Sequence, residues 1–303
     1  MTELLVTGAT GFVGAATRRA LRERGVRLRT LVHHRRTGGD DEQVEGDLAD
    51  PASLRGSCAG VDAVVHLAAA VGSDPDTCRA VNDAGARALL AEARGAGVHR
   101  FVQLGTAAVY GRGEHRGPAE DEVRPRPESV TSETRLAGEN AVLAAGGTVV
   151  RPYFVYGAGD RWVVPGLARL LAATGSTIEG ARPRLGMVWV DDLAEIIAAL
   201  AVDGAPPGRV LHADHPRPVP VRELVDRLVH DLGVPAPRQD LSYREAVRRL
   251  PGAADQLSLL ARDRYFDATA AWRATGRAPT PFDVGFARSL DWYRAHLTAD
   301  RTS

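Results

Sequence analysis

The first fourteen residues constrain this chain more than any other stretch. Leu4-Leu5-Val6 is a short apolar run, and Thr7-Gly8-Ala9-Thr10-Gly11-Phe12-Val13-Gly14 follows without a break. Ala15, Ala16, Ala20 and Leu21 then recur at helical spacing. Strand, glycine-rich turn and helix in that order make a phosphate-binding pattern. Gly8 is expected to allow the tight turn, Gly11 to let a pyrophosphate approach the backbone, and Gly14 to let helix and strand pack closely. The free N–H groups at the helix start would hold the anion. Thr10, Phe12 and Val13 complete the expected cofactor loop.

The same alternation runs through the first half. Strands are expected at Glu3–Val6, Arg27–Val32, Gln43–Glu45, Ala63–Leu67, Phe101–Leu104 and Thr148–Val150, and helices at Phe12–Arg24, Pro51–Leu54, Pro75–Gly95 and Ser132–Ala145. This rhythm predicts βαβ units and a parallel sheet covered on both faces, an α/β Rossmann-like doubly wound fold. The expected dinucleotide-binding domain is 1–160, with 187–213 returning to it. Residues 161–186 and 214–303 form a smaller C-terminal substrate-binding part, with helices near Trp162–Ala173, Val221–Leu232, Tyr243–Leu250 and Asp283–His296. Asp191-Asp192 is expected to cap the helix running through Ala194–Val202. The segment 111–128, rich in Gly, Pro and charge, reads as a loop at the sheet's C-terminal edge.

Formal net charge is zero, so composition makes no case for nucleic acid or an anionic membrane as partner. No leader pattern opens the chain, and no apolar run approaches a membrane span. The two cysteines, Cys58 and Cys78, lack metal-ligand spacing, so no metal is expected and a reducing cytoplasm is the simple reading. There is no lysine, so all 38 Lys+Arg residues are arginine and lysine chemistry is excluded.

Further motifs resemble the extended short-chain dehydrogenase/reductase family, also called the NAD-dependent epimerase/dehydratase family. Thr7–Gly14 is similar to its T-G-x-x-G-x-x-G loop, and Gly46-Asp47-Leu48 to its G-D-L segment, where the acid meets adenine. Asp62–Ala69 (DAVVHLAA) resembles the strand and turn beside the cofactor, which puts Leu67, Ala68 and Ala69 there. Val81-Asn82-Asp83-Ala84-Gly85 resembles its V-N-x-x-G, Val150–Gly157 (VRPYFVYG) its R-P-x-x-V-Y-G, and Trp189–Asp192 its V-D-D segment. The resemblance implies cofactor contacts for Asn82 and Pro152, and places Thr106 where a hydroxyl binds the substrate carbonyl. It also implies a Y-x-x-x-K helix supplying the catalytic proton relay. Arg135-Leu136-Ala137-Gly138-Glu139 matches that helix, so the tyrosine and lysine positions hold Thr131 and Arg135. Threonine is a very poor acid and arginine stays charged, so the usual relay is lost or moved. Arg135 remains able to reach ribose hydroxyls or Glu139 at i+4. Tyr153 follows Arg151-Pro152, which the family places near the nicotinamide, and is a candidate replacement. Tyr110, Tyr156, Ser132, Glu133, Glu114 and His115 are others.

The second strand ends Leu31-Val32-His33-His34-Arg35-Arg36, with no acid until Asp40. The dinucleotide fingerprint expects an acid there for the ribose 2′-OH. Arg35 and Arg36 would pair instead with a 2′-phosphate, which favours NADP(H) over NAD(H), with His33 at the same strand end. The leading expectation is an NADP(H)-dependent reductase of a ketone in nucleotide-deoxysugar or other secondary-metabolite biosynthesis. A non-redox dehydratase, epimerase or cyclase is one alternative, and a cofactor-binding regulator without turnover is another. Arg112, Arg116, Arg161, Arg182 and Arg184 would suit a nucleotide sugar's diphosphate. The family resemblance also allows a homodimer through the helices at Pro75–Gly95 and Ser132–Ala145.

Overall fold

The computed structural model describes residues 2–33, 36–72 and 74–299. Seven parallel strands form the central sheet: β1 (Glu3–Thr7), β2 (Arg27–Val32), β3 (Glu42–Glu45), β4 (Ala63–His66), β5 (Arg100–Leu104), β6 (Thr148–Arg151) and β7 (Val210–His212). Their spatial order is β7-β6-β5-β4-β1-β2-β3, so strand order reverses at β1. That reversal opens a crevice at the C-terminal ends of β1 and β4, where ligands of doubly wound sheets bind.

Successive strand side chains point to opposite faces, and both faces here are apolar. Leu4, Val6, Ala63, Val65, Val102 and Val150 pack on one side with α1 (Phe12–Glu23) and with the helix Val190–Val202. Leu5, Val64, Phe101 and Val149 pack on the other, against Leu89, Ala93 and Val142. A second core joins Val164, Leu167, Leu171, Leu224, Leu228, Phe282, Phe286 and Tyr293 in the C-terminal part. Among the described residues no helix is long and apolar enough to cross a membrane.

Two local expectations need correction. The single helix expected over Pro75–Gly95 is broken by a π-helical stretch at Arg79–Gly85. There Gly138 brings the helix Val130–Ala144 so close that a Cβ would lie 2.1 Å from the Asn82 carbonyl oxygen. Asp191 and Asp192 do not cap the helix Val190–Val202, whose N-cap is Trp189. Asp191 pairs with Arg19 at 2.6 Å, and Asp192 accepts both the backbone N–H and the hydroxyl of Thr280 at 2.8 Å. Long-range docking takes the carboxylates that local propensity assigns to the helix end.

Candidate active site

The candidate dinucleotide cleft is built on glycines at which a side chain would collide with backbone. Gly8 has φ +66°, and a Cβ there would lie 2.6 Å from the Ala68 nitrogen. A Cβ on Gly14 would lie 2.0 Å from the Gly8 carbonyl oxygen. Gly11 is the N-cap of α1 in extended backbone, and its N–H donates to the Gly8 carbonyl at 3.0 Å. Beside this turn lies a cavity of about 360 Å³ lined by 7–10, 31–33, 46–48, 68–70 and Val81. It brings together Gly8, Thr10, His33, Asp47, Leu48, Ala68 and Ala69. The close backbone approach and the helix N-terminus fit a dinucleotide's pyrophosphate.

The remaining expected cofactor residues stand behind this lining. Phe12 packs on Gly159, and Phe12, Val13 and Leu67 also pack against the core. The Leu67 N–H donates to Thr7 Oγ1 at 3.2 Å, which ties β4 to β1. Asn82 holds the loop after β4 at both ends of its amide, accepting from Ala70 N at 2.8 Å and donating to Ala70 O at 2.9 Å. His33 Nε2 lies 3.3 Å from Asp47 Oδ2. Arg36 pairs with Glu45 at 2.9 Å on the surface, and Asp41 is taken by Arg18 and Arg22, each at 2.6 Å. Arg35 lies outside the described residues.

Two backbone bonds bring the other candidates together. Gly105 N donates to Val150 O at 2.7 Å and Ala107 N to Pro152 O at 2.9 Å, so the Thr106 turn lies beside Pro152-Tyr153. Thr106 Oγ1 accepts the Ala108 N–H at 3.2 Å, and the same oxygen carries a proton to donate. Thr131, by contrast, donates its hydroxyl to Gly72 O at 2.9 Å. Arg135 folds back on the end of β5, giving Nη2–H bonds to Leu104 O at 2.7 Å and Gly105 O at 2.8 Å. Burial pulls its guanidinium below the usual range, with Glu139 opposing.

Glu139 is wholly buried and spends its carboxylate on Arg151 at 2.7 Å and on the Thr106 N–H at 3.2 Å. Arg151 also donates to the Tyr110 hydroxyl at 2.8 Å, which meets His212 Nε2 at 2.7 Å. His212 Nδ1 lies 3.1 Å from Asp267 O, so this nitrogen carries the proton and Nε2 accepts from Tyr110. Every member of this buried chain is satisfied, which makes Tyr110 structural. Tyr156 is structural as well, donating to Phe282 O at 3.4 Å. Ser132 is held in a capping box with Ser129, and Glu133 is exposed. Glu114 pairs with Arg116 at 3.1 Å. His115 packs against Phe266 with ring centroids 5.1 Å apart and the rings tilted, and burial, then Arg264, holds it below the usual histidine range.

Tyr153 has a different kind of partner. Its hydroxyl accepts from Arg264 Nη1 at 3.2 Å. Arg264 is 1% exposed, and its other N–H groups go to the carbonyls of Arg112 and Gly113 and to Ser258 Oγ. A phenol with a buried cation beside it is the arrangement that Thr131 and Arg135 lack. Burial pushes the Tyr153 phenol up and Arg264 pulls it back, the net direction being upward.

Residues 4–211 match the model of the NAD dependent epimerase/dehydratase family. The chain belongs to that family. It is 32% identical over 268 residues to the 2-alkyl-3-oxoalkanoate reductase of Stenotrophomonas maltophilia (strain K279a), covering 81% of this chain and 80% of the relative. It is 29% identical to the dTDP-4-dehydrorhamnose reductase of Streptomyces griseus, covering 91% and 88%. A solved short-chain dehydrogenase/reductase superfamily protein from Agrobacterium tumefaciens with bound NAD superposes with a TM-score of 0.78 at 22% identity, covering 99% and 100%. This epimerase/dehydratase-family member is an oxidoreductase.

Arg264, Asp214 and His212 are buried polar residues around the candidate site that nothing in the sequence marks. Arg264 reaches Tyr153 across 111 positions, and no local pattern marks it. Asp214 sits just past β7 and accepts the N–H groups of Tyr153 at 3.0 Å and Phe266 at 3.2 Å. Burial pushes its carboxyl up to about 7, against the pull of those two donors. A carboxyl kept neutral in the fold contributes stability that is fully present below its unfolded value and is lost as pH rises through about 7. His66 and His212 act in the opposite sense. Burial first, and then Arg135 for His66, pushes both down to about 4, so their contribution is lost as pH falls through that value. Asp214→Asn should therefore lose less stability than the parent between about pH 5 and about pH 8, by a few kcal/mol. Urea unfolding at both pH values reads this, and an identical pH dependence in the two proteins would refute it.

Proposed function

We propose that the chain is an NADP(H)-dependent reductase of a ketone in secondary metabolism, with Tyr153 as proton donor. The observation that carries this reading is the Tyr153–Arg264 pair beside the Thr106 turn. When bound, the dinucleotide supplies the hydride. Thr106 donates a hydrogen bond to the carbonyl oxygen, and Tyr153 gives that oxygen its proton as the alcohol forms. The Arg264 charge stabilises the phenolate left behind, and solvent returns the proton. The alkoxide is far more basic than a phenolate, so a raised Tyr153 pKa still allows the transfer. Two relatives named as reductases support carbonyl reduction and leave the substrate's size and polarity open.

The 2′-phosphate of NADP(H) would meet Arg35 and Arg36. Support comes from the acids near the end of β2, since Asp41 and Glu45 already have arginine partners. The Arg36–Glu45 pair is on the surface and weak enough to exchange for a phosphate. Residence in the cytoplasm and a homodimer through the 75–95 and 132–145 segments belong to the same reading. A nucleotide sugar remains chemically compatible with it.

The direct test is oxidation of NADPH in the presence of a panel of ketones. Arg35→Ser with Arg36→Ser should raise the KM for NADPH about 10- to 100-fold and leave NADH little changed. A wild-type preference for NADH would overturn the cofactor assignment. Tight NADPH binding with no oxidation by any ketone would overturn the reductase reading. It would favour the regulator, which the bond locking Thr131 onto Gly72 also suits.

A further inference from the structure

We infer that an apolar cavity beside the Tyr153–Arg264 pair receives the alkyl chain of the substrate, which makes the substrate a lipid-like ketone rather than a nucleotide-linked sugar. This deepens, and rests on, the reading of the protein as a ketone reductase. The cavity has a volume of about 230 Å³, and its walls include Phe154, Val163, Leu167, Leu170, Leu259 and Leu260. Gln256 is its one polar lining residue. Trp162 lies on the lining and is 78% exposed. An apolar space with an uncovered indole at its edge suits a small apolar ligand.

Two short links join this cavity to the proposed proton donor. The Tyr153 and Phe154 rings are neighbours, with centroids 4.3 Å apart, and Phe154 forms part of the cavity wall. Ser258 takes an N–H of Arg264 at 3.4 Å, while the next two residues, Leu259 and Leu260, line the cavity. A carbonyl held at Tyr153 would thus lead its chain past Phe154 into the apolar space. Three of the five arginines suited to a diphosphate already have carboxylate partners in the fold. Arg112 pairs with Asp255 at 3.0 Å, and Arg116 with Asp263 at 3.0 Å. Arg184 shares Asp263 and also donates to the Tyr265 hydroxyl at 2.9 Å.

Gly166 offers a way to fill the cavity without breaking the fold. It lies on the lining, inside the helix Val163–Thr174, and a Cβ there meets nothing within 4 Å. The experiment titrates straight-chain 2-alkanones of increasing length against the purified protein and follows tryptophan emission, with NADPH oxidation measured separately. Each added methylene should tighten Kd about three- to fourfold until the cavity is full. Gly166→Leu should weaken binding of the longer ketones at least about tenfold, and retained NADPH binding would show that the variant is folded. Binding that does not depend on chain length overturns the inference, as does a wild-type length dependence in Gly166→Leu. Length-dependent binding without NADPH oxidation would keep the cavity and refute the reductase reading. Reduction of short or sugar ketones without length dependence would do the reverse.

Discussion

Tyr153→Phe should lower kcat for ketone reduction about 100- to 10,000-fold while leaving the dinucleotide's Kd unchanged. The substitution keeps the ring against Phe154 and Phe266 and removes only the oxygen that accepts from Arg264. A merely structural tyrosine would instead show its loss in unfolding, with kcat nearly intact. The pH profile separates the two roles further. Burial lifts the phenol above its ordinary value of 10.0, so it stays protonated through neutral pH. Reduction should then hold its rate up to that range and fall only beyond it, and the Phe variant should lack that alkaline limb. A kcat within about threefold of wild type would remove Tyr153 from the chemistry. The companion change Thr131→Tyr with Arg135→Lys would then show whether the family's own positions can be restored.

Glu139→Leu should destabilise the fold by about 3–5 kcal/mol. The carboxylate is 0% exposed and faces two guanidinium groups, buried Arg151 by direct contact and half-buried Arg135 through the field. Removing it leaves Arg151 buried without a counter-charge. It also takes the acceptor from the Thr106 N–H, so any folded variant should turn over slowly. Arg151→Met in the same chain should recover part of the loss, because the charge left stranded against Tyr110 is gone as well. Chemical denaturation of the single and double variants checks this, and a single-variant loss below about 1 kcal/mol would contradict the buried-pair account.

The glycine turn and the sheet around it are legible in the sequence because they rest on local rules. Leu4, Leu5 and Val6 announce a strand covered on both faces, and the positive φ of Gly8 and close packing of Gly14 are what those glycines are for. Thr131 and Arg135 are legible as a departure from a known helix pattern. Their true partners, Gly72 and the carbonyls of Leu104 and Gly105, are not, since nothing local marks them. Arg264 is hidden for the same reason, one arginine among many until the fold sets it against Tyr153. Asp191 and Asp192 show the converse error, in which a good local rule yields to Arg19 and Thr280 from distant parts of the chain.

The placement of Arg264 also orders events during synthesis. The walls of the dinucleotide cleft all lie between Thr7 and Val81, in the part of the chain that leaves the ribosome early. The cation beside Tyr153 arrives late, after β7 and most of the C-terminal core have been made. The helix Val190–Val202, which covers one face of β1 and β4, falls between the two in chain order, so the cleft is walled in only after two thirds of the chain has emerged and the proposed proton relay is completed last of all.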